Sequence, residues 1–275
     1  MTKTYIVEQI ITRLNISKRQ LFVGSTLLLT LALISTQIVS GGLRWEIVLV
    51  LMALTYGLAS VALREDLNGI EYLTLLTLPT FYTAAVYLFY FLLPTRWLTR
   101  LPIAFLYAIG MYAILLTENI YNVAASTKNI QLLRAAHSVG FLLTLLTHFF
   151  LIETLLSLHL PFYLNALFGV IIVAPLCLQA LWSMELHAHI TAQVWLGTLV
   201  TSLVIGQLLI IFSFWPIRIT IEALFLTTVF YTLVGMIQQY LVERLFTKTT
   251  REFLIVLAVV FILVLFTTKW GSGIQ

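Results

Sequence analysis

Hydrophobic residues in this chain come in long unbroken runs, with neither the alternation of a half-buried strand nor the one-sided stripe of a soluble helix. Windows of about 20 residues pass without a charge, and short polar breaks divide them. By length and apolarity the runs predict membrane spans at 20–40, 45–63, 72–93, 101–125, 133–157, 162–183, 190–213, 218–242 and 252–269. The count is about nine, with eight as the alternative. The expected fold class is all-α, a polytopic transmembrane helix bundle that forms one domain over residues 20–275. Residues 1–19 read as a cytoplasmic amphipathic tail. There Ile6, Val7, Ile10, Ile11 and Leu14 share a helical face opposite Glu8, Gln9, Thr12 and Arg13, and Lys18 and Arg19 reach the headgroups.

Composition closes off the soluble alternatives. Hydrophobic residues make up 61% of the 275 positions and charged residues 9%, against roughly 25% charged in ordinary soluble domains. The formal charge of +4 comes from basic residues scattered singly between spans, with no continuous stripe for nucleic acid. Their placement speaks to orientation instead. With a cytoplasmic N-terminus, Lys3, Arg13, Lys18, Arg19, Arg64, Lys128, Arg134, Arg244, Lys248 and Arg251 lie inside, while Arg44, Arg96, Arg100, Arg218 and Lys269 lie outside. All six tryptophans fall within a few residues of a span end, where indoles favour the headgroup level. The N-terminal stretch is too polar for the core of a cleaved signal peptide, so the first span is expected to remain. Cys177, the one cysteine, sits in an apolar run and reads as core packing.

Two features hint at internal architecture. Gly110, Met111 and Glu118 in the fourth span recur at the same spacing as Gly235, Met236 and Glu243 in the eighth. The turns Pro94-Thr95-Arg96 and Pro216-Ile217-Arg218 precede them, which suggests a weak parallel repeat between 94–118 and 216–243. Pro79 and Pro175 lie within spans, where each frees a carbonyl and can kink its helix.

No charged side chain stands at the centre of a span, where insertion scales charge about 2.5–3.5 kcal/mol. The polar residues cluster near one set of span ends, and the ligand-binding candidates are Glu118, Asn122, Arg134, His137, Thr144 and His148. Glu118 and Asn122 share one helical face, and Arg134 is placed to pair with Glu118 across the turn. His137, Thr144 and His148 form a stripe on the next helix, with the two imidazoles about 16 Å apart along its axis. Such a stripe should face the bundle interior or a cavity. Glu185, His187 and His189 have the ligand chemistry of a metal site, in a spacing that matches no metalloprotease pattern, and are weak candidates. The turn Arg64-Glu65-Asp66-Leu67-Asn68-Gly69-Ile70-Glu71 reads as a solvated acidic turn. Outer turns are poorer in polar groups, with Glu153 and His159 as the main exceptions.

The segments Thr117-Glu118-Asn119-Ile120-Tyr121-Asn122-Val123-Ala124-Ala125 and Leu133-Arg134-Ala135-Ala136-His137 resemble an uncharacterised family of bacterial polytopic membrane proteins. The resemblance covers the middle of the chain. It implies an integral protein of the bacterial cytoplasmic membrane and brings no activity with it. Walker loop, Gly-x-Ser-x-Gly elbow and His-Glu-x-x-His are all missing, so no catalytic residue and no cofactor are assigned. The repeat, the span prolines and the polar mouth favour a transporter of a small solute or lipid. An intramembrane enzyme on a lipid-linked substrate is the second reading, with His137 and Glu118 as acid–base candidates and Arg134 binding phosphate. A non-catalytic subunit or scaffold, packing small residues such as Ala53 and Gly57 against a membrane partner, is the third.

Overall fold

A computed structural model describes residues 17–36, 44–64, 69–93, 97–127 and 130–268. Among these residues the chain forms helices and no strands. In chain order they are α1 Lys18–Ser35, α2 Arg44–Leu63, α3 Glu71–Leu92, α4 Trp97–Thr127, α5 Ile130–Ser157, α6 Phe162–Glu185, α7 Ala192–Phe212, α8 Ile219–Leu241 and α9 Thr247–Thr267. In lipid every backbone polar group must be satisfied within its own segment, which leaves the helix as the available element for apolar runs of this length. Eight of the helices, α2 to α9, are long and apolar enough to cross a membrane. α1 begins with Lys18-Arg19-Gln20, so its apolar part within the described residues is shorter. Residues 1–16 of the amphipathic tail and residues 65–68 of the acidic turn between α2 and α3 lie outside the described residues.

Local chemistry sets several boundaries. Ser17 and Gln20 form a capping box at the start of α1, each side chain bonding the other's backbone N–H. Thr191 caps α7 by accepting from the Val194 N–H. α6 stops where Leu186 turns left-handed at φ 52° and returns its N–H to the Trp182 carbonyl. The Trp182 indole N–H then closes the turn on the His187 carbonyl at 2.9 Å. Pro79 and Pro175 both sit inside helices that continue past them.

Packing centres on α3, α5 and α6. α3 touches α2, α4, α5 and α6, while α5 touches α3, α4, α6 and α8. Three polar links cross the apolar interior between neighbouring helices. Thr55 of α2 donates to Thr83 of α3, whose hydroxyl also meets the Tyr107 hydroxyl of α4 at 3.0 Å. Tyr82 stacks on Tyr107 and bonds the Leu106 carbonyl. His148 of α5 meets Thr227 of α8 at 3.0 Å and stacks on Phe230. Leucine, isoleucine and phenylalanine side chains cover the outer surface, as expected where hydrocarbon is the solvent. α9 packs on α8 and buries Val264 alone. Ala53 and Gly57, the small residues read as a partner-binding face, are exposed on α2.

The most extensive helix pair is α6 with α7. Gly206 of α7 brings its backbone against Val170, where an added Cβ would stand 2.7 Å from the Val170 methyl. Gly169 of α6 holds the reciprocal position against Leu209. Glycines at such a crossing let two backbones approach and maximise dispersion contact in a medium without hydrophobic drive. Substitution Gly169→Leu should lower stability by about 1–3 kcal/mol through overpacking. Gly24→Leu, whose added Cβ meets nothing within 4 Å, should change it little. Thermal denaturation in detergent reads both, and equal midpoints would overturn the close-packing account.

Candidate functional site

The richest polar constellation gathers where α2, α4, α6 and α8 end and α5 begins. Glu118 and Asn122, one turn apart on α4, are both fully enclosed, at 0% and 1% exposure. Gln179 of α6 donates its side-chain N–H to Glu118 Oε1 at 2.9 Å. The Asn122 amide donates to the Leu63 carbonyl at 2.9 Å, which holds the last turn of α2 against α4. Gln238 of α8 donates to the Ala180 carbonyl at 2.9 Å. His137 of α5 donates its Nε2–H to the Ser183 carbonyl of α6 at 2.9 Å, and Tyr121 of α4 donates to the Ala136 carbonyl of α5 at 3.0 Å. The Tyr121 and His137 rings lie 5.5 Å apart. Gly140 makes room for this contact, because an added Cβ would come within 2.6 Å of the Tyr121 hydroxyl.

Each side-chain amide here spends one N–H on a carbonyl or carboxyl oxygen, while three oxygens are left without a partner. Glu118 Oε2, Asn122 Oδ1 and Gln179 Oε1 are buried and have no hydrogen-bond partner. In a low-dielectric interior each unmet polar atom costs on the order of 1–3 kcal/mol. A cluster of three oxygens is therefore suited to a donor, a proton or a cation.

The six sequence candidates divide accordingly. Glu118 and Asn122 belong to the centre, and His137 borders it. Arg134 is exposed, and the expected pair with Glu118 does not form: that carboxyl is sealed between α4 and α6, and the guanidinium stays at the surface. Thr144 bonds the Gly140 carbonyl of its own helix. His148 lies two turns deeper than Thr144's neighbour Gly140 and turns to α8, with Nε2 buried and unpartnered. Gln179, Ser183 and Gln238 escaped the sequence reading, although a glutamine in the apolar run 175–182 is itself a signal of an interior-facing position.

The other candidates form no joint site. Glu185 Oε2 accepts from Thr191 at 2.7 Å and lies 3.4 Å from His187 Nδ1, and the His187 and His189 rings stack 5.9 Å apart. Among the described residues no group of three histidine, cysteine or acidic side chains is arranged to hold a metal. Cys177 is free and fully buried in the core. The two glutamates of the suggested repeat differ in setting. Glu118 is buried within α4, and Glu243 is exposed beyond the end of α8 at φ 56°.

A bundle of apolar helices with its polar side chains turned inward defines a polytopic integral membrane protein. The chain belongs to a family of proteins of unknown function, DUF5656, whose model matches residues 58–267. That match runs from the second half of α2 to the end of α9 and includes every residue of the Glu118 centre. No curated protein and no solved structure matches.

The Glu118–Gln179 bond is open to a double-mutant test. Gln179→Leu leaves the buried carboxyl without its donor and should cost about 1–3 kcal/mol. Glu118→Leu with Gln179→Leu removes both partners and should cost less than the sum of the single changes. Strictly additive losses in detergent unfolding would show that the two side chains do not interact.

Proposed function

We propose that this protein is a small-solute transporter in which Glu118, with Asn122 and Gln179, is the cation-coupling centre. The observation that carries this reading is a fully enclosed carboxyl with one oxygen unmet, beside the unmet amide oxygens of Asn122 and Gln179, in the interior of a helix bundle. An ionisable side chain at such a place is costly to insert and marks an ion or proton path by default. Binding a proton or a monovalent cation offsets that cost and gives the bundle two states with different internal charge. Gln179 links the centre to α6, the helix that carries Pro175 and shares the most extensive inter-helix seam with α7. With a cytoplasmic N-terminus and α1 counted as a span, the enclosed centre lies toward the cytoplasmic end of the bundle.

The intramembrane-enzyme reading has less behind it. His137 Nε2 is committed to a backbone carbonyl, and Arg134 stands apart from Glu118.

Proteoliposomes under an imposed proton or sodium gradient test the proposal. Gradient-driven uptake of at least one solute from a broad panel is expected, with at least a tenfold loss in folded Glu118→Gln. Undiminished flux in that variant, or no gradient-driven uptake of any solute, rules the reading out.

A further inference from the structure

A second polar pocket lies at the opposite end of the bundle, between the α5–α6 and α7–α8 connections. It encloses about 340 Å³, and its lining includes His159, Asn165, Phe212, Trp215 and Glu222. Glu222, in the first turns of α8, is 7% exposed, and Asn165 of α6 is 6% exposed. Glu222 Oε1 has no hydrogen-bond partner. Asn165 spends its amide N–H on the Leu160 carbonyl, and its Oδ1 also has no partner. His159 is fixed in a left-handed turn at φ 50°, with Nδ1 donating to the Ser157 carbonyl at 2.9 Å. In a neutral ring this leaves Nε2 as an acceptor. Ser213, also on the lining, gives its hydroxyl proton to the Leu209 carbonyl. The buried unpartnered atoms of the pocket, Glu222 Oε1 and Asn165 Oδ1, are both acceptors.

Aromatic rings supply the rest of the wall. Phe212 and Trp215 stack 5.5 Å apart, and the Trp215 indole N–H is held by the Thr268 hydroxyl at 3.1 Å. A carboxyl, an amide oxygen and an imidazole nitrogen beside aromatic faces match the needs of a positive group with several N–H donors. The volume is at the small end of ligand pockets. We propose that this pocket binds a primary ammonium group, with Glu222 and Asn165 accepting its N–H donors and the Phe212–Trp215 pair flanking it. The assignment is independent of transport at Glu118.

An ammonium here has two sources, a free small amine or the ethanolamine headgroup of a lipid. The full chain in phosphatidylcholine nanodiscs is titrated with n-propylammonium, n-propanol and tetramethylammonium by calorimetry. Saturable binding of n-propylammonium is expected, at least tenfold tighter than either of the others, with at least a tenfold loss in Glu222→Gln. The comparison with n-propanol uses the unaltered chain, so the test holds even where the variant fails to fold. Repeating it with phosphatidylethanolamine in the nanodisc identifies the source. Competition by the lipid assigns the headgroup, and unchanged binding assigns a soluble amine. No saturable binding, equal binding of n-propanol, equal affinity in folded Glu222→Gln, or displacement by sodium at equal concentration would overturn the proposal.

Discussion

In hydrocarbon a polar side chain that cannot reach a headgroup is met either by a carbonyl of its own helix, as Thr144 is, or by a polar group from a neighbouring helix, and the second kind of contact organises the bundle. The Thr55–Thr83–Tyr107 chain joins α2, α3 and α4. Glu118 with Gln179 joins α4 to α6, and His148 with Thr227 joins α5 to α8. Each link fixes the rotation of two helices at once. Apolar packing among leucines has little preference for one rotation over another in a solvent as apolar as the side chains themselves.

Seen this way, the two ends of the bundle are built differently. At one end, Asn122, Gln238, His137 and Tyr121 give their donors to backbone carbonyls on other helices, and that network encloses Glu118. The surplus of oxygens is sealed inside. At the other, the carboxyl of Glu222 lines a pocket with aromatic walls. A surplus of acceptors at both ends is a common electrostatic theme, and it sits oddly with the positive formal charge of the chain. The explanation is one of location, because several of the basic side chains, Arg134 among them, are exposed and the unmet carboxyl oxygens are interior.

Membership in the family adds a boundary. The matched segment begins within α2 and leaves out α1. Both polar sites are assembled from helices inside it, and the Leu63 carbonyl that receives the Asn122 amide lies there too. α1 is attached through α2 and α4 and contributes no residue to either site.

The spans were legible from the sequence because twenty apolar residues in a row have one stable arrangement in lipid, and the ends of α2 to α8 fall close to where the polar breaks put them. Interior placement of His148 was legible for a related reason, since polar residues in apolar runs avoid the lipid face. Glu118 and Asn122 read as a polar face near a span end, and the packing is what encloses them. Partners were not legible. Glu118 and Gln179 are 61 residues apart, and Asn122 reaches a carbonyl 59 residues away. Proximity along the chain pointed instead to Arg134, which the turn brings near in sequence but leaves outside the seal. Glu222 carried no signal in the sequence, and its burial comes from the packing around the α5–α6 and α7–α8 connections. Hydropathy is a property of each segment, so the sequence alone determined the helices and their membrane setting. Which polar atoms remain unmet depends on how those helices rotate against one another, and only the tertiary packing decided that.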